Sequence, residues 1–451
     1  MADGRDGTPQ GRSNKPVGSK KSLANEHRLM ALGDAVDRQT GVQRHGHRAI
    51  RTNRSNRRRR RVFIALGSVL ALIVVVAGGG YLYANYRFDQ IPKIHVGSEL
   101  PQLSGKPFNI LEIGSDSRAG LTGKVAVATG ASSTPGQRSD VVKIMHIDPE
   151  AGTISVLSIP RDTMVTLLAN TSLYGRFNRI NVNFANGPSL LVKTIEANFG
   201  IPIQHVIVVS FAGLINSIDA IGGIYLDFRY PAKDEYSGLN IKTTGCQLVT
   251  RFQALAVARS RHYEWYQNGV WNYDGTSDFG RILRQDAFMR AMINRVRGLY
   301  NPLSINNFLS KIPQGITLDD QFTLRELVAL AVKFHGINPN AMLTYTIPTI
   351  SGVNPTVGDV LYVDQPAAQQ MLVDLFGNSL LKPTNPPPNS ALQTPPPPTI
   401  TPTTTTSTTT TTLKSSGKSK GTSTTTTTIP ALAVAGSTQA TPPYDPVPCS
   451  P

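Results

Sequence analysis

Twenty-two consecutive residues, Val62 to Tyr83, carry no charge, and no other feature restricts this chain more. At about 1.5 Å per residue, a helix of that length spans the ~30 Å hydrocarbon core of a bilayer. The run has no polar face, so a buried helix of a soluble core is the weaker reading. Arg51, Arg54 and the unbroken run Arg57 to Arg61 precede it, and Tyr81, Tyr83 and Tyr86 follow with few charges. By the positive-inside rule the amino terminus is expected in the cytoplasm, with the tyrosines at the far interface. A cleaved signal peptide is disfavoured, because the run is long and lies behind about sixty polar residues. The expectation is a single-pass cell-membrane protein with most of its mass outside.

Charge follows the same division. The chain carries +16 in all, but residues 1–61 alone hold 16 Lys and Arg against 5 Asp and Glu, leaving only +5 for the rest. Basicity therefore describes the tail and not the fold, and no nucleic-acid partner is expected. The Arg run fits an orientation signal that also touches anionic membrane lipid. Residues 1–61 read as a disordered cytoplasmic tail, 62–83 as the membrane helix, 84–94 as a linker and 95–377 as a globular domain. From 378 to 451 the Pro/Thr-rich composition cannot build a core and reads as a disordered tail. Two cysteines, Cys246 and Cys449, exclude a disulfide-stapled scaffold and a four-cysteine zinc site, while a bond between them stays open.

Within 95–377, strands are expected at Phe108–Gly114, Val141–Ile147, Thr153–Ile159, Val206–Ser210 and Gly223–Phe228, all rich in Ile and Val between turn residues. Helices are expected at Ser189–Phe199, Phe211–Ile221, Arg251–Arg259, Gly280–Leu299, Leu324–Phe334 and Gln365–Phe376. Strands interleaved with helices imply an α/β fold: one extracytoplasmic α-β-α layered domain with a mixed central sheet, preceded by the membrane helix.

The chain lacks a GxxxxGK[ST] phosphate loop, an HExxH zinc motif and a Gly-x-Ser-x-Gly elbow. Instead, Arg and Asp recur at the ends of predicted elements: Asp116 and Arg118 in GSDSR, Arg138 and Asp140 in QRSD, and Arg161 and Asp162 in SIPRD. Arg259 and Arg261 lie in ARSRH, and Asp278, Arg281, Arg284 and Gln285 in DFGRILRQ. Guanidinium forks match phosphate oxygens, and carboxylates hold Mg²⁺ that bridges phosphates, so a site needing both suits a diphosphate. Any single pair of this kind is more often a plain salt bridge; five similar motifs at element ends reverse that preference. His205 and His262 lack a metal-spaced partner.

These strings, together with RINVNFANGPSLLVKTIEANFGIPIQHVIVVSFAGLINSIDAIGGIYLDF, resemble the LytR-CpsA-Psr family of cell-wall glycopolymer transferases over most of residues 105–300. The resemblance implies transfer of a glycopolymer from a polyprenyl-pyrophosphate carrier to peptidoglycan, forming a phosphodiester and releasing polyprenyl phosphate. It implies Asp116 and Asp140 as ligands of Mg²⁺, or of Mn²⁺ in its place. It implies Arg138, Arg161, Lys193, Arg259, Arg261, Arg281 and Gln285 as the pyrophosphate-binding set, with Arg118, Asp162 and Asp278 in the same motifs. Arg161, Arg259, Arg261 and Asp116 are the expected catalytic group, and Asp116 or Asp162 the base. Two stretches depart from the pattern, the insert GKVAVATGASSTPGQ and the long aromatic loop His262 to Ser277.

Leu190, Leu191, Ile195, Phe199, Ile215 and Ile218 offer a polyprenyl groove, although plain core is the better reading of each. Tyr263, Trp265, Tyr266, Trp271 and Tyr273 fit a sugar-stacking platform or lid as well as loop packing. The alternatives are a phosphoesterase that only hydrolyses the lipid diphosphate, which is also a side reaction open to the same site, and a non-catalytic wall-polymer-binding or regulatory protein. The carboxylate pair favours the transferase.

Overall fold

The computed structural model describes residues 46–96, 107–116, 139–298, 302–311, 313, 315–336, 338–389 and 441–450. The chain divides into two compact units, residues 1–82 and 83–451. Helix α1 (Gly46–Asp89) starts inside the stretch expected to be disordered. Its segment Arg57–Asp89 is long and apolar enough to cross a membrane. The expected linker is corrected as well: Phe88 and Ile91 are buried among Phe108, Ile110, Leu318 and Phe322, and strand β1 (Lys93–Ile94) belongs to the main sheet.

Three strands follow, β2 (Phe108–Ser115), β3 (Ser139–Asp148) and β4 (Thr153–Ser158). A short hairpin, β5 (Met164–Thr166) with β6 (Phe177–Arg179), precedes helix α2 (Pro188–Phe199). Then come β7 (His205–Ser210), α3 (Phe211–Ile221), β8 (Ile224–Phe228), β9 (Ala232–Asp234), β10 (Leu239–Ile241), β11 (Gly245–Val249) and α4 (Arg251–Arg259). Strands β12 (Glu264–Gln267) and β13 (Val270–Tyr273) stand before helix α5 (Asp278–Arg297). After a helix at Pro302–Lys311 come β14 (Ile316–Asp319), α6 (Leu324–Phe334), β15 (Leu343–Thr346), β16 (Thr349–Asn354), β17 (Gly358–Val363), α7 (Gln365–Phe376) and β18 (Val447–Pro448).

The central sheet runs β1-β14-β7-β2-β3-β4-β15. It is mixed, as expected: β2 pairs parallel with β7 and antiparallel with β3. Strand alternation sorts its side chains into two layers. Leu111, Ile113, Val142 and Ile144 face α2 and α7, against Leu191, Ile195, Phe199 and Phe376. On the other face Lys143 reaches Asp286 of α5. A second core joins α3, α4 and α5 to β8 through Ile218, Leu226, Phe228, Val257 and Phe288. The six residues considered for a polyprenyl groove divide between elements of these two cores, and Leu191, Ile195, Phe199 and Ile218 are interior packing.

The loop expected from His262 to Ser277 contains a hairpin. Asn268 (φ 54°) and Gly269 (φ 84°) both take positive φ, as a two-residue hairpin turn requires. Asn-Gly in QNGV was its legible signal. The resulting sheet runs β10-β9-β12-β13.

The carboxyl-terminal tail is corrected at both ends. Residues 378–389 lie along the domain: Leu381 N donates to Gly200 O (2.7 Å) and Asn385 N to Ala197 O (2.9 Å). Near the terminus, β18 adds antiparallel to β8, and Cys246 is disulfide-bonded to Cys449 across 203 residues. The Thr runs lie outside the described residues.

Candidate active site

Ser115 pairs with Ser139 where β2 ends and β3 begins, so Asp116 and Asp140 flank that antiparallel pair at one corner of the sheet, Asp116 just beyond it and Asp140 at the register shift opposite Gly114 and Ser115. Strand β4 ends beside them, with Ser158 opposite Lys143, and the SIPRD string then carries Arg161 to the same edge. Pro160, without an N–H, stops the β4 ladder, although Ile159 N still donates to Val142 O (2.9 Å). Helix α5 opens at this edge with Asp278, and α4 ends two residues before Arg261.

The charges interlock. Arg161 Nη1 donates to Asp140 Oδ1 at 2.7 Å, and its Nε lies 3.5 Å from Asp162 Oδ2 and 4.0 Å from Asp278 Oδ1. Asp278 Oδ1 is also 2.8 Å from Arg281 Nη2 and 3.3 Å from Arg261 Nε. Arg281 Nη2 donates to the Asp140 carbonyl as well (2.9 Å). Three cations thus converge on Asp278. The Nε atoms of Arg161, Arg261 and Arg281 are buried yet make no hydrogen bond of ordinary geometry, and neither does either oxygen of Asp278. Buried donors left in this state are the ones a phosphate oxygen satisfies. Burial makes Arg281 release its proton more readily than a free arginine, against the pull of Asp278 and Asp140. At Arg161 burial acts in the same sense, but Asp140, Asp162 and Asp278 outweigh it and its pKa rises.

Local structure aims these groups. Asp234 Oδ2 accepts from Ser260 Oγ (2.7 Å), Arg261 N (3.0 Å) and His262 N (3.0 Å), fixing the backbone that presents Arg261. Those bonds overcome the effect of burial and hold the Asp234 carboxyl below its usual range. Ser277, the residue before α5, has φ 50° and ψ −108°, a conformation rarely adopted by a residue with a Cβ. That sharp entry sets Asp278 in the first turn of the helix, where a negative charge is stabilised.

Asp140, Arg161, Asp278, Arg281 and Gln285 line one cleft. Lys143 also reaches it, ion-paired to Asp286 and donating to Ser158 Oγ at 3.0 Å. Beside that pair, the carboxyl of Glu112 is pushed up by burial, with Lys143 drawing it down and Asp286 adding to the rise. Gln285 Nε2 donates to Ala258 O (3.0 Å), linking α5 to α4. Arg259 sets its guanidinium 5.2 Å from the centre of the Phe211 ring. Lys193 is exposed on α2, on the sheet face opposite α5, and takes part in none of the ion pairs among the described residues. Arg118 and Arg138 lie outside the described residues.

Sequence reasoning missed Arg179, whose Nε is 3.4 Å from Asp162 Oδ1. It opens the RINVNF string, and that position was its available signal. It also left Arg284 beside the site residues without a separate role. Arg284 is instead an interior cation, paired to Asp274 (2.8 Å) and Asp445 (2.6 Å), with its guanidinium 4.6 Å from the Tyr263 ring centre.

Among the described residues no group of three or more His, Cys, Asp or Glu is placed to hold a metal. The corner of Asp116 and Asp140 offers two hard carboxylate donors. That donor set suits Mg²⁺, which takes one or two carboxylates and completes its shell with phosphate oxygens and water.

The sequence model of the LytR_cpsA_psr family matches residues 87–376. The "Probable cell wall biosynthesis protein LcpB" of Corynebacterium glutamicum is 28% identical over 313 residues, covering 68% of this chain and 68% of that protein. The "Polyisoprenyl-teichoic acid--peptidoglycan teichoic acid transferase TagV" of Bacillus subtilis is 31% identical over 301 residues, 63% of this chain and 70% of the relative. Among solved structures, the "LytR-Csp2A-Psr enzyme from Actinomyces oris" aligns with a TM-score of 0.49 at 22% identity, covering 65% of this chain and 97% of that one.

Proposed function

The chain belongs to the LytR_cpsA_psr family, and from that premise we propose that it is a membrane-anchored phosphotransferase of cell-wall assembly. Its donor on this reading is a glycopolymer on a polyprenyl-pyrophosphate carrier, its acceptor a hydroxyl of peptidoglycan, and its product a phosphodiester. The observation that carries the proposal is the convergence of Arg161, Arg261 and Arg281 on Asp278, beside Asp140, at one edge of the sheet.

The diphosphate enters among these guanidinium groups, where its oxygens take the N–H donors that lack good partners. The acceptor hydroxyl attacks the phosphorus nearest the glycan. Its O–P bond forms as the bond from that phosphorus to the bridging oxygen breaks, and polyprenyl phosphate leaves with the bridging oxygen. The hydroxyl proton passes to Asp116 or Asp162, the two carboxylates proposed as base. Arg161, Arg261 and Arg281, with Arg259 at the end of α4, stabilise charge on the transferred phosphoryl group. Arg138 joins the binding set on family resemblance. Asp116 and Asp140 would hold Mg²⁺, or Mn²⁺ in its place, and that ion when bound offsets the diphosphate's charge.

Orientation follows from the arginines before the apolar run: amino terminus in the cytoplasm, residues 83–451 outside. The Cys246–Cys449 disulfide supports an oxidising compartment for the domain. The test is incubation of the full-length protein in detergent with a lipid-diphosphate glycan, Mg²⁺ and peptidoglycan fragments. A product with the mass of glycan, phosphate and fragment joined is expected. Recovery of only free glycan phosphate would instead make the protein a hydrolase and overturn transfer.

A further inference from the structure

The outer face of the β10-β9-β12-β13 sheet contributes nothing to the chemistry above. Tyr266 stands opposite Trp271, and Glu264 opposite both Tyr273 and Lys233. Side chains alternate along a strand, so these five project from one face. The other face carries Trp265, stacked on Tyr444 with ring centres 3.9 Å apart. The outward rings are open to solvent: Tyr266 is 41% exposed, Trp271 45% and Tyr273 54%. Tyr266 and Trp271 lie 5.3 Å apart. Lys233 Nζ is 4.8 Å from the Trp271 ring centre and 3.2 Å from Glu264 Oε2. His262 extends the patch, 4.4 Å from the Tyr236 ring and 6.4 Å from that of Tyr273. It directly follows Arg261, and Asp234 accepts from the backbone N–H of both, which ties this edge of the aromatic surface to a residue of the arginine cluster.

We infer that this face binds the glycan strand of peptidoglycan and holds the acceptor beside the cluster, an inference that rests on the transferase reading above. Exposed contiguous aromatic surface marks an interaction site. A pyranose ring presents an apolar C–H face with hydroxyls around its edge. Flat rings rimmed by phenol hydroxyls and a Lys–Glu pair match both parts. A polyprenyl chain asks for a concave aliphatic groove, and this surface is an open sheet face with an ion pair on it. The donor already has two phosphates by which the arginines can hold it. The acceptor's reacting hydroxyl is uncharged, so the acceptor must be held through its sugar surface.

The test is sedimentation of the full-length protein in detergent with isolated peptidoglycan sacculi. The wild type is expected to pellet with sacculi, the Tyr266→Ala/Trp271→Ala variant at least tenfold less, and Arg161→Ala like the wild type. Equal pelleting by the double variant, or no pelleting by the wild type, overturns the inference. So does a defect confined to binding of lipid-free donor polysaccharide, which would assign the face to the donor. Wild-type pelleting without any transfer sinks the transferase reading while leaving the glycan site standing. Fluorescence supplies a readout independent of truncation, because the chain has only two tryptophans, Trp265 and Trp271. An N-acetylglucosamine hexamer is expected to shift the emission of the wild type and of Trp265→Phe but not of Trp271→Phe. A shift that persists in Trp271→Phe overturns the inference as well.

Discussion

Arg284 of α5 and Asp445, 161 positions later, form a fully buried ion pair at 2.6 Å. The pair anchors the carboxyl-terminal segment to the helix that presents Asp278 and Arg281. Asp274, on the turn into that helix, holds the same guanidinium at 2.8 Å. Asp274 and Arg284, ten positions apart, and Asp445 from the distant carboxyl-terminal segment therefore meet in the interior beside the entry to α5.

Removing the cation strands two interior carboxylates. Arg284→Ala is expected to lower stability by about 3–5 kcal/mol, as breaking a buried ion pair does. Chemical denaturation read by circular dichroism checks this. A loss within the error of a surface mutation would mean that the network carries no structural weight.

The disulfide closes a loop of 203 residues, for which the chain-entropy limit is about 5 kcal/mol. Cys246→Ser should lower the melting temperature, and a reductant should do the same to the wild type but not to the variant. Transfer should fall with it, because β18 and Asp445 lose their anchor beside α5. Unchanged melting on reduction would contradict the anchoring role.

Asp445 gives stability a pH dependence. Burial pushes its carboxyl up to about 6, against the pull of Arg284 and with Asp274 adding to the rise. The ordinary value is 3.8, so between roughly pH 4 and 6 the folded chain holds a proton that the unfolded chain has lost. Stability from this group is full below that window, falls as pH rises through it, and is level above. Asp445→Asn should remove that slope. Parallel curves for variant and wild type from pH 4 to 7 would count against it.

Arg161 touches Asp140, Asp162 and Asp278 and is partly open to solvent. Arg161→Ala is expected to lower transfer by roughly 10²–10³ with the fold retained, the scale of one lost transition-state donor. Steady-state turnover of purified full-length protein measures it. Near-wild-type rates would remove Arg161 from the chemistry.

Divalent metal is proposed at Asp116 and Asp140. Excess chelator should abolish transfer, Mg²⁺ should restore it, and Asp116→Asn should raise the Mg²⁺ concentration needed for half activity. Full turnover in chelator would rule out the metal role of that corner.

Much of the fold was legible because it is written in local pattern. Helices Phe211–Ile221, Arg251–Arg259, Leu324–Phe334 and Gln365–Phe376 appear with the bounds expected from the sequence. Ser210 shows why: its hydroxyl accepts from Gly213 N at 3.1 Å, and Gly222, at φ 73°, closes the helix. The Arg and Asp motifs were legible too, since loops at strand ends carry function. The hairpin at Asn268-Gly269 has an equally local signal, a two-residue turn set among aromatic residues.

Residue order along the chain established the apolar span, the alternation that builds the sheet and the charged strings at its edge, all of which act over a few positions. Folding alone brought Arg161 and Arg261 onto the carboxylate that Arg281 already meets one helical turn away, left Lys193 on the opposite layer, recruited Arg179, and drew Asp445 and Cys449 back to the body of the protein. Those outcomes depend on contacts between residues tens to hundreds of positions apart. Their energies come from burial and pairing in three dimensions, and no short window of sequence contains both partners.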